Sequence, residues 1–218
     1  MRIEWLNKSG SDRVILFFNG WGMDARAVSH LSVHCDVLMC YDYRSLQEAI
    51  LPPLTEYREI HVIAWSMGVW AAANLLPAAG IQPDSLIGLN GTEYPVNDLW
   101  GIPVRIYQLT ERGMSEEGRD KFLNRMFDGV EELTLFVHHK PLRKIEEVCE
   151  ELCQIRIQST GLQNTLKWDK IYISDKDVIF PVANQQKWWQ ERVEVLRSLP
   201  GGHYPFYQFE SWKQIIGN

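Results

Sequence analysis

Two textures of apolar residues alternate along this chain. Short continuous runs bounded by turn residues are separated by longer stretches in which apolar positions recur every three or four residues. Arg13–Phe18 (RVILFF) is a run of the first kind and ends at Asn19-Gly20; Asp36–Tyr41 (DVLMCY), Glu59–Trp65 (EIHVIAW), Ser85–Leu89 (SLIGL) and Lys170–Ser174 (KIYIS) are others. Runs this short, several of them β-branched, predict strands buried on both faces, as in a parallel sheet. Behind Glu59–Trp65, the Ala- and Leu-rich stretch 67–79 predicts a buried helix, broken late by Pro77. Such strand–helix alternation predicts an α/β fold, a mostly parallel sheet flanked by helices.

The alternation lapses between about 100 and 165. There the pattern is helical with charged faces: Ile145, Val148, Cys149, Leu152 and Ile155 follow helical spacing with acidic residues between them. This segment reads as helices inserted between two strands of one sheet, so residues 1–218 are expected to form a single domain with an insertion at approximately 100–165. After Lys170–Ser174 a Trp-containing helix is expected from about Val182, a last strand over 193–199 and a final helix over 209–216.

Composition narrows the function more than the fold. A chain of 218 residues with 45% hydrophobic and 23% charged residues can bury one substantial core. Its formal charge of −6 argues against nucleic acid as the main partner, because phosphate binding needs a clustered basic surface. Residues 1–5 enter a polar-interrupted strand pattern directly, without the apolar core of a signal peptide, and no run approaches membrane-spanning length. A soluble, cytoplasmic protein is expected. Cys35, Cys40, Cys149 and Cys153 match no zinc spacing and include no CxxC pair, so they are expected as reduced thiols in or near the core. With no HExxH, phosphate-cradling loop or dinucleotide fingerprint, neither metal nor organic cofactor is expected.

Candidate chemistry lies where strands end, the edge of a parallel sheet at which ligands bind. Ala64-Trp65-Ser66-Met67-Gly68 joins a buried strand to a buried helix. A sharp turn at such a junction exposes a serine nucleophile, and its neighbours must be small; Gly68 meets that need, while Ala64 replaces the usual first glycine. A helix-capping serine is the structural alternative. After Lys170–Ser174, Asp175 and Asp177 compete as the acid that would orient a base. Asp177 is favoured because it stands four residues before Pro181, an arrangement common at this point in α/β-hydrolases. Gly201-Gly202-His203 follows the last strand, and its two glycines let the loop bring an imidazole back over the sheet. The order Ser66, Asp177, His203 is that of the α/β-hydrolase fold. Asn19-Gly20-Trp21-Gly22 stands where these enzymes commonly carry H-G-x-G, with Asn19 in place of histidine. The backbone N–H groups of Trp21 and Met67 are therefore the candidate oxyanion hole. Trp21 and Trp65 would flank the serine as an apolar substrate-binding wall, or simply pack in the core.

Several segments together resemble the BioG family of pimeloyl-[acyl-carrier protein] methyl ester esterases: FFNGWGMD, AWSMGVWAA, GLNGTEYP, GIPVRIYQLTERGMSEEGRDKFLNRM, SDKDVIFP and GGHYPF. The resemblance covers most of the chain, and the GLNGTEYP and GIPVRIYQLT stretches lie outside general hydrolase machinery. It implies a serine carboxylesterase of biotin biosynthesis with a Ser66–Asp177–His203 triad, acting on the distal methyl ester of a carrier-bound pimeloyl chain. It further implies that segment 100–165 forms a lid with an acyl channel. Its partner would be the acidic acyl-carrier protein, with no nucleic acid or membrane involved. Of the lid's Arg112, Arg119, Lys121, Arg125, Arg143 and Lys144, Arg119 and Arg125 are the candidate carrier contacts. The segment's many Glu residues also fit a solvated mixed-charge surface. Another short-chain ester or thioester as substrate, or a non-catalytic binding module on the same scaffold, are the competing readings.

Overall fold

A computed structural model describes residues 1–48, 50–161 and 165–217. Among them seven strands form one sheet in the order β1-β3-β2-β4-β5-β6-β7. Here β1 is Arg2–Asn7, β2 Arg13–Phe18, β3 Asp36–Tyr41, β4 Glu59–Trp65, β5 Ser85–Leu89, β6 Lys170–Ser174 and β7 Val195–Leu199. All neighbours pair in parallel except β1, which lies antiparallel to β3 at one edge. That position explains its mixed texture: Arg2 and Glu4 are exposed whereas Ile3 and Trp5 are half-buried. By contrast β2, with β3 and β4 on either side, is buried throughout after Arg13.

Helix α1 (Met67–Ala78) packs on β2 and β4, with Pro77 in its last turn. Between β5 and β6 come α2 (Val104–Arg112), α3 (Glu116–Arg125), α4 (Val130–Phe136) and α5 (Ile145–Gln158). These are the helices expected between 100 and 165, of which residues 162–164 lie outside the described residues. The apolar positions Val148, Leu152 and Ile155 of α5 are buried as their spacing predicts.

Two boundaries differ from expectation. Helix α6 (Val182–Trp189) is followed by a turn in which the Arg192 and Val193 N–H groups both bond back to the Trp189 carbonyl, so β7 starts at Val195 rather than 193. The final helix, α7 (Trp212–Ile216), starts later than 209 because Phe209 has extended backbone and Ser211 caps the helix through its hydroxyl. No helix among the described residues is long and apolar enough to cross a membrane.

Candidate active site

The turn from β4 into α1 forces Ser66 into an uncommon conformation, φ 57° and ψ −121°. A non-glycine residue held at positive φ carries strain of order 1–3 kcal/mol and persists only where its surroundings over-determine it. Here the Ser66 N–H donates to the Leu89 carbonyl of β5 at 2.9 Å. Close approach does the rest. A Cβ on Gly68 would stand 2.2 Å from the Phe18 carbonyl oxygen, so no other residue fits there.

Ser66 Oγ lies 2.9 Å from His203 Nε2, and His203 Nδ1 lies 2.8 Å from Asp177 Oδ2. All three side chains are buried. An ionised carboxylate only accepts, so Nδ1 carries the proton and Nε2 is left to receive one from the serine. Asp177 is fixed in turn. Its Oδ1 accepts the N–H groups of Ile179 and Phe180, both at 2.9 Å, and its Oδ2 accepts Gln185 Nε2 at 3.0 Å. Asp175, the competing acid, is exposed and instead accepts the Gly201 N–H at 3.0 Å, bracing the loop that carries His203.

Behind the imidazole, the His203 carbonyl accepts Trp65 Nε1 at 3.0 Å and Asn90 Nδ2 at 2.9 Å. Asn90 also joins β5 to β6 by bonding the Ser174 N–H and hydroxyl. Neither Asn90 nor Gln185 is among the residues expected from the sequence to have a role. Asn90 was detectable in principle, as a polar residue ending a buried strand on the reactive edge. Gln185 had no local signal, since its partner is set by the packing of α6 against the loop after β6.

In the loop after β2 the main-chain donors on either side of Trp21 are occupied. The Asn19 N–H bonds the Cys40 carbonyl at 2.9 Å, the Gly20 N–H the Asn19 side-chain oxygen at 2.8 Å, the Gly22 N–H Glu151 at 3.2 Å and the Met23 N–H the Gly20 carbonyl at 3.4 Å. Among the described residues none accepts from the Trp21 N–H, nor from the Met67 N–H, which opens the first turn of α1. Asn19 is thus a loop brace: its side chain also donates to the Asp24 carbonyl at 3.1 Å.

Above these groups is a narrow cleft of about 30 Å³, walled on the sheet side by Trp21, Trp65 and Met67 and on the helical side by Ile106, Tyr107, Phe122 and Leu152. Trp21 meets Phe122 edge to face at 4.8 Å, closing one wall. Trp65 also packs against the His203 ring at 5.6 Å and against Phe206, so it braces the imidazole as well as lining the cleft. Arg125 lies at the cleft's rim, exposed, its nearest bond a 3.4 Å contact to the Val178 carbonyl. Arg119 is more occupied, donating to the Arg143 carbonyl and pairing with Glu116. Arg143 itself is no surface charge: it is buried between Asp42 and Glu151. Among the described residues no group of three or more His, Cys, Asp or Glu side chains converges as a metal site would require.

Residues 1–215 match the family model of the pimeloyl-ACP methyl esterase BioG. The chain belongs to this family. The crystal structure of BioG from Haemophilus influenzae superposes with a TM-score of 0.92 at 32% identity, covering 100% of both chains. A Bacteroides fragilis protein named malonyl-[acyl-carrier protein] O-methyltransferase is 39% identical over 193 residues, which is 87% of this chain but 39% of that protein. More distantly, an α/β-hydrolase enzyme from a Medee basin deep-sea metagenome library shares the fold, with a TM-score of 0.63 at 14% identity over 95% of this chain and 88% of that one. The sheet order and the hydrolase likeness agree with the fold class expected from the sequence.

Proposed function

We propose that this protein is a serine esterase that hydrolyses the methyl ester of a pimeloyl chain carried on acyl-carrier protein, a step of biotin biosynthesis. Family membership supports the esterase activity and the substrate. The observation that carries the mechanism is the relay from Ser66 through His203 to Asp177, at 2.9 and 2.8 Å, opening on an apolar cleft.

His203 Nε2 takes the Ser66 proton as Oγ attacks the ester carbonyl, and Asp177 stabilises the imidazolium that forms. The Trp21 and Met67 N–H groups receive the oxyanion; losing one such donor typically costs roughly 10²–10³ in turnover. His203 then protonates the departing methoxide, methanol leaves, and an acyl-enzyme remains on Ser66. Water, deprotonated by His203, attacks that ester and releases the free carboxylic acid with the serine restored.

The apolar cleft suits a methylene chain, and its rim suits a carrier. Arg125 offers a guanidinium without a carboxylate partner among the described residues; it lines the cleft with the exposed Ile106 and contacts the carbonyl of the exposed Val178. Arg119, already paired, would contribute less. The methyl transfer named for the Bacteroides relative is chemically complementary, since an ester installed on a carrier-bound acid must later be removed.

A fluorophosphonate probe followed by peptide mapping tests the nucleophile, with the label expected on Ser66 alone. Parallel assays on carrier-bound and free pimeloyl methyl ester test the substrate. Preference for the carrier-bound form supports the assignment; equal turnover of any short ester would remove the carrier from it.

A further inference from the structure

The loop that offers Trp21 is held from the far side of the cleft. Helix α5 supplies two of the restraints. The Val148 carbonyl accepts the Trp21 indole N–H at 2.9 Å, and Glu151 accepts the Gly22 N–H on Oε2 at 3.2 Å and the Tyr43 N–H on Oε1 at 2.9 Å. Tyr43 passes the restraint on, its hydroxyl donating to the Asn19 carbonyl at 2.6 Å. Trp21 therefore stands between two anchored peptides, with its ring anchored as well.

Glu151 has no exposed surface, and a buried carboxylate is costly unless it is paired and hydrogen-bonded. Arg143 meets that condition, bridging Glu151 and Asp42, with Arg143 Nη2 at 3.1 Å from Asp42 Oδ1. The carboxylate is matched to its site because each oxygen faces a main-chain N–H and neither needs to donate. A glutamine there has a single acceptor oxygen, so its amide nitrogen would confront either the Gly22 or the Tyr43 N–H. Gly22 adopts φ +73°, a conformation open to glycine, and that bend aims its N–H at the helix.

From this arrangement we infer that Glu151 is a positioning residue of the reaction: acting through Gly22 and Tyr43, it sets the Trp21 N–H where the oxyanion forms. The inference rests on the esterase mechanism above, with Ser66 as nucleophile and Trp21 as oxyanion donor. It also gives α5 a part in transition-state stabilisation, beyond roofing the cleft.

The experiment uses the full chain with a nitrophenyl ester as substrate, a trifluoromethyl ketone that forms a tetrahedral adduct on Ser66, and the matching planar methyl ketone. Glu151→Gln is expected to lower kcat about tenfold or more and to weaken the trifluoromethyl ketone by a similar factor, while KM and the planar ketone change less than about twofold. Tyr43→Phe, which removes only the hydroxyl, should show the same selectivity at about threefold, and it decides the matter if Glu151→Gln does not fold. Arg156→Met, which cuts the ion pair between α5 and Glu111 of α2 without touching the loop, should lower Tm and leave the ratio of the two ketones unchanged. Equal weakening of both ketones, or unchanged kcat in the folded variants, would overturn the inference. Failure of the underlying mechanism would look different, because wild type would then be insensitive to the trifluoromethyl ketone.

Discussion

At the sheet edge, Ser66, His203 and Asp177 are bonded to one another and Asp177 is held by three further donors; in the helices between β5 and β6, Ile106, Leu109, Leu135 and Val137 stand exposed. Asp177 alone accepts four hydrogen bonds, counting His203. Arg125, by comparison, has a single long contact to a carbonyl. On the proposed function, the contrast separates two tasks. Bond-making chemistry needs groups fixed in one geometry before substrate arrives, whereas recognition of a carrier needs apolar and charged side chains still open to a partner. Glu151 is where the two regions meet, a helical residue whose bonds all run to the sheet-edge loops or to Arg143.

Substitutions should fall into the same two groups. The largest effect is expected at the sheet edge: Asp177→Asn should lower kcat by about 10⁴ by upsetting the His203 tautomer, while Asp175→Asn, on the surface, changes it less than about threefold. Steady-state kinetics on a nitrophenyl ester reads both, and a large loss at Asp175 would erase the distinction between them. Next comes Gln185→Leu. Removing a donor to a buried carboxylate costs about 1.5–3 kcal/mol, which corresponds to roughly ten- to a hundredfold in rate if Asp177 shifts. Its effect should be on kcat.

Across the cleft the effect should move to KM. Arg125→Glu is expected to raise KM for the carrier-bound ester about tenfold, with a smaller change on the free ester and a marked response to salt. If both esters suffer equally, Arg125 belongs to the chemistry rather than to recognition.

The smallest effect lies outside both regions, on stability in acid. Burial pushes the Asp36 carboxyl up, but bonds from the Ser9 N–H and hydroxyl, the Tyr57 hydroxyl and the Ser11 N–H outweigh it and lower the pKa to about 2. A folded pKa below the unfolded value near 3.8 gives stability that is fully present above about pH 4 and lost as pH falls toward 2. Urea titrations of wild type and Asp36→Asn should therefore differ at pH 6 and converge near pH 2.

How much of this was legible beforehand follows the same division. The strands β2 to β6 were readable because burial on both faces leaves short, unbroken apolar runs with turn residues at their ends. Ser66, Asp177 and His203 stand out as candidates because each follows the end of such a run, close to a glycine or ahead of a proline. Between the two acids the spacing to Pro181 favours Asp177, but the bonds themselves are not readable: it is the turn after β6 that sends Asp175 outward and Asp177 toward His203. Glu151 was hidden more deeply. Its neighbours Glu146, Glu147 and Glu150 share its letter on the same helix, yet it alone of the four is fully buried, opposite a loop more than a hundred residues away. Arg143 was misjudged for the same reason, as one basic residue among several in a charged segment.

The most direct test of the central claim is methanol release from pimeloyl-[acyl-carrier protein] methyl ester by wild type and Ser66→Ala side by side. Turnover is expected from wild type and a loss of at least about 10³-fold in the variant, with its fold intact by circular dichroism. Methanol release by Ser66→Ala within tenfold of wild type would contradict it.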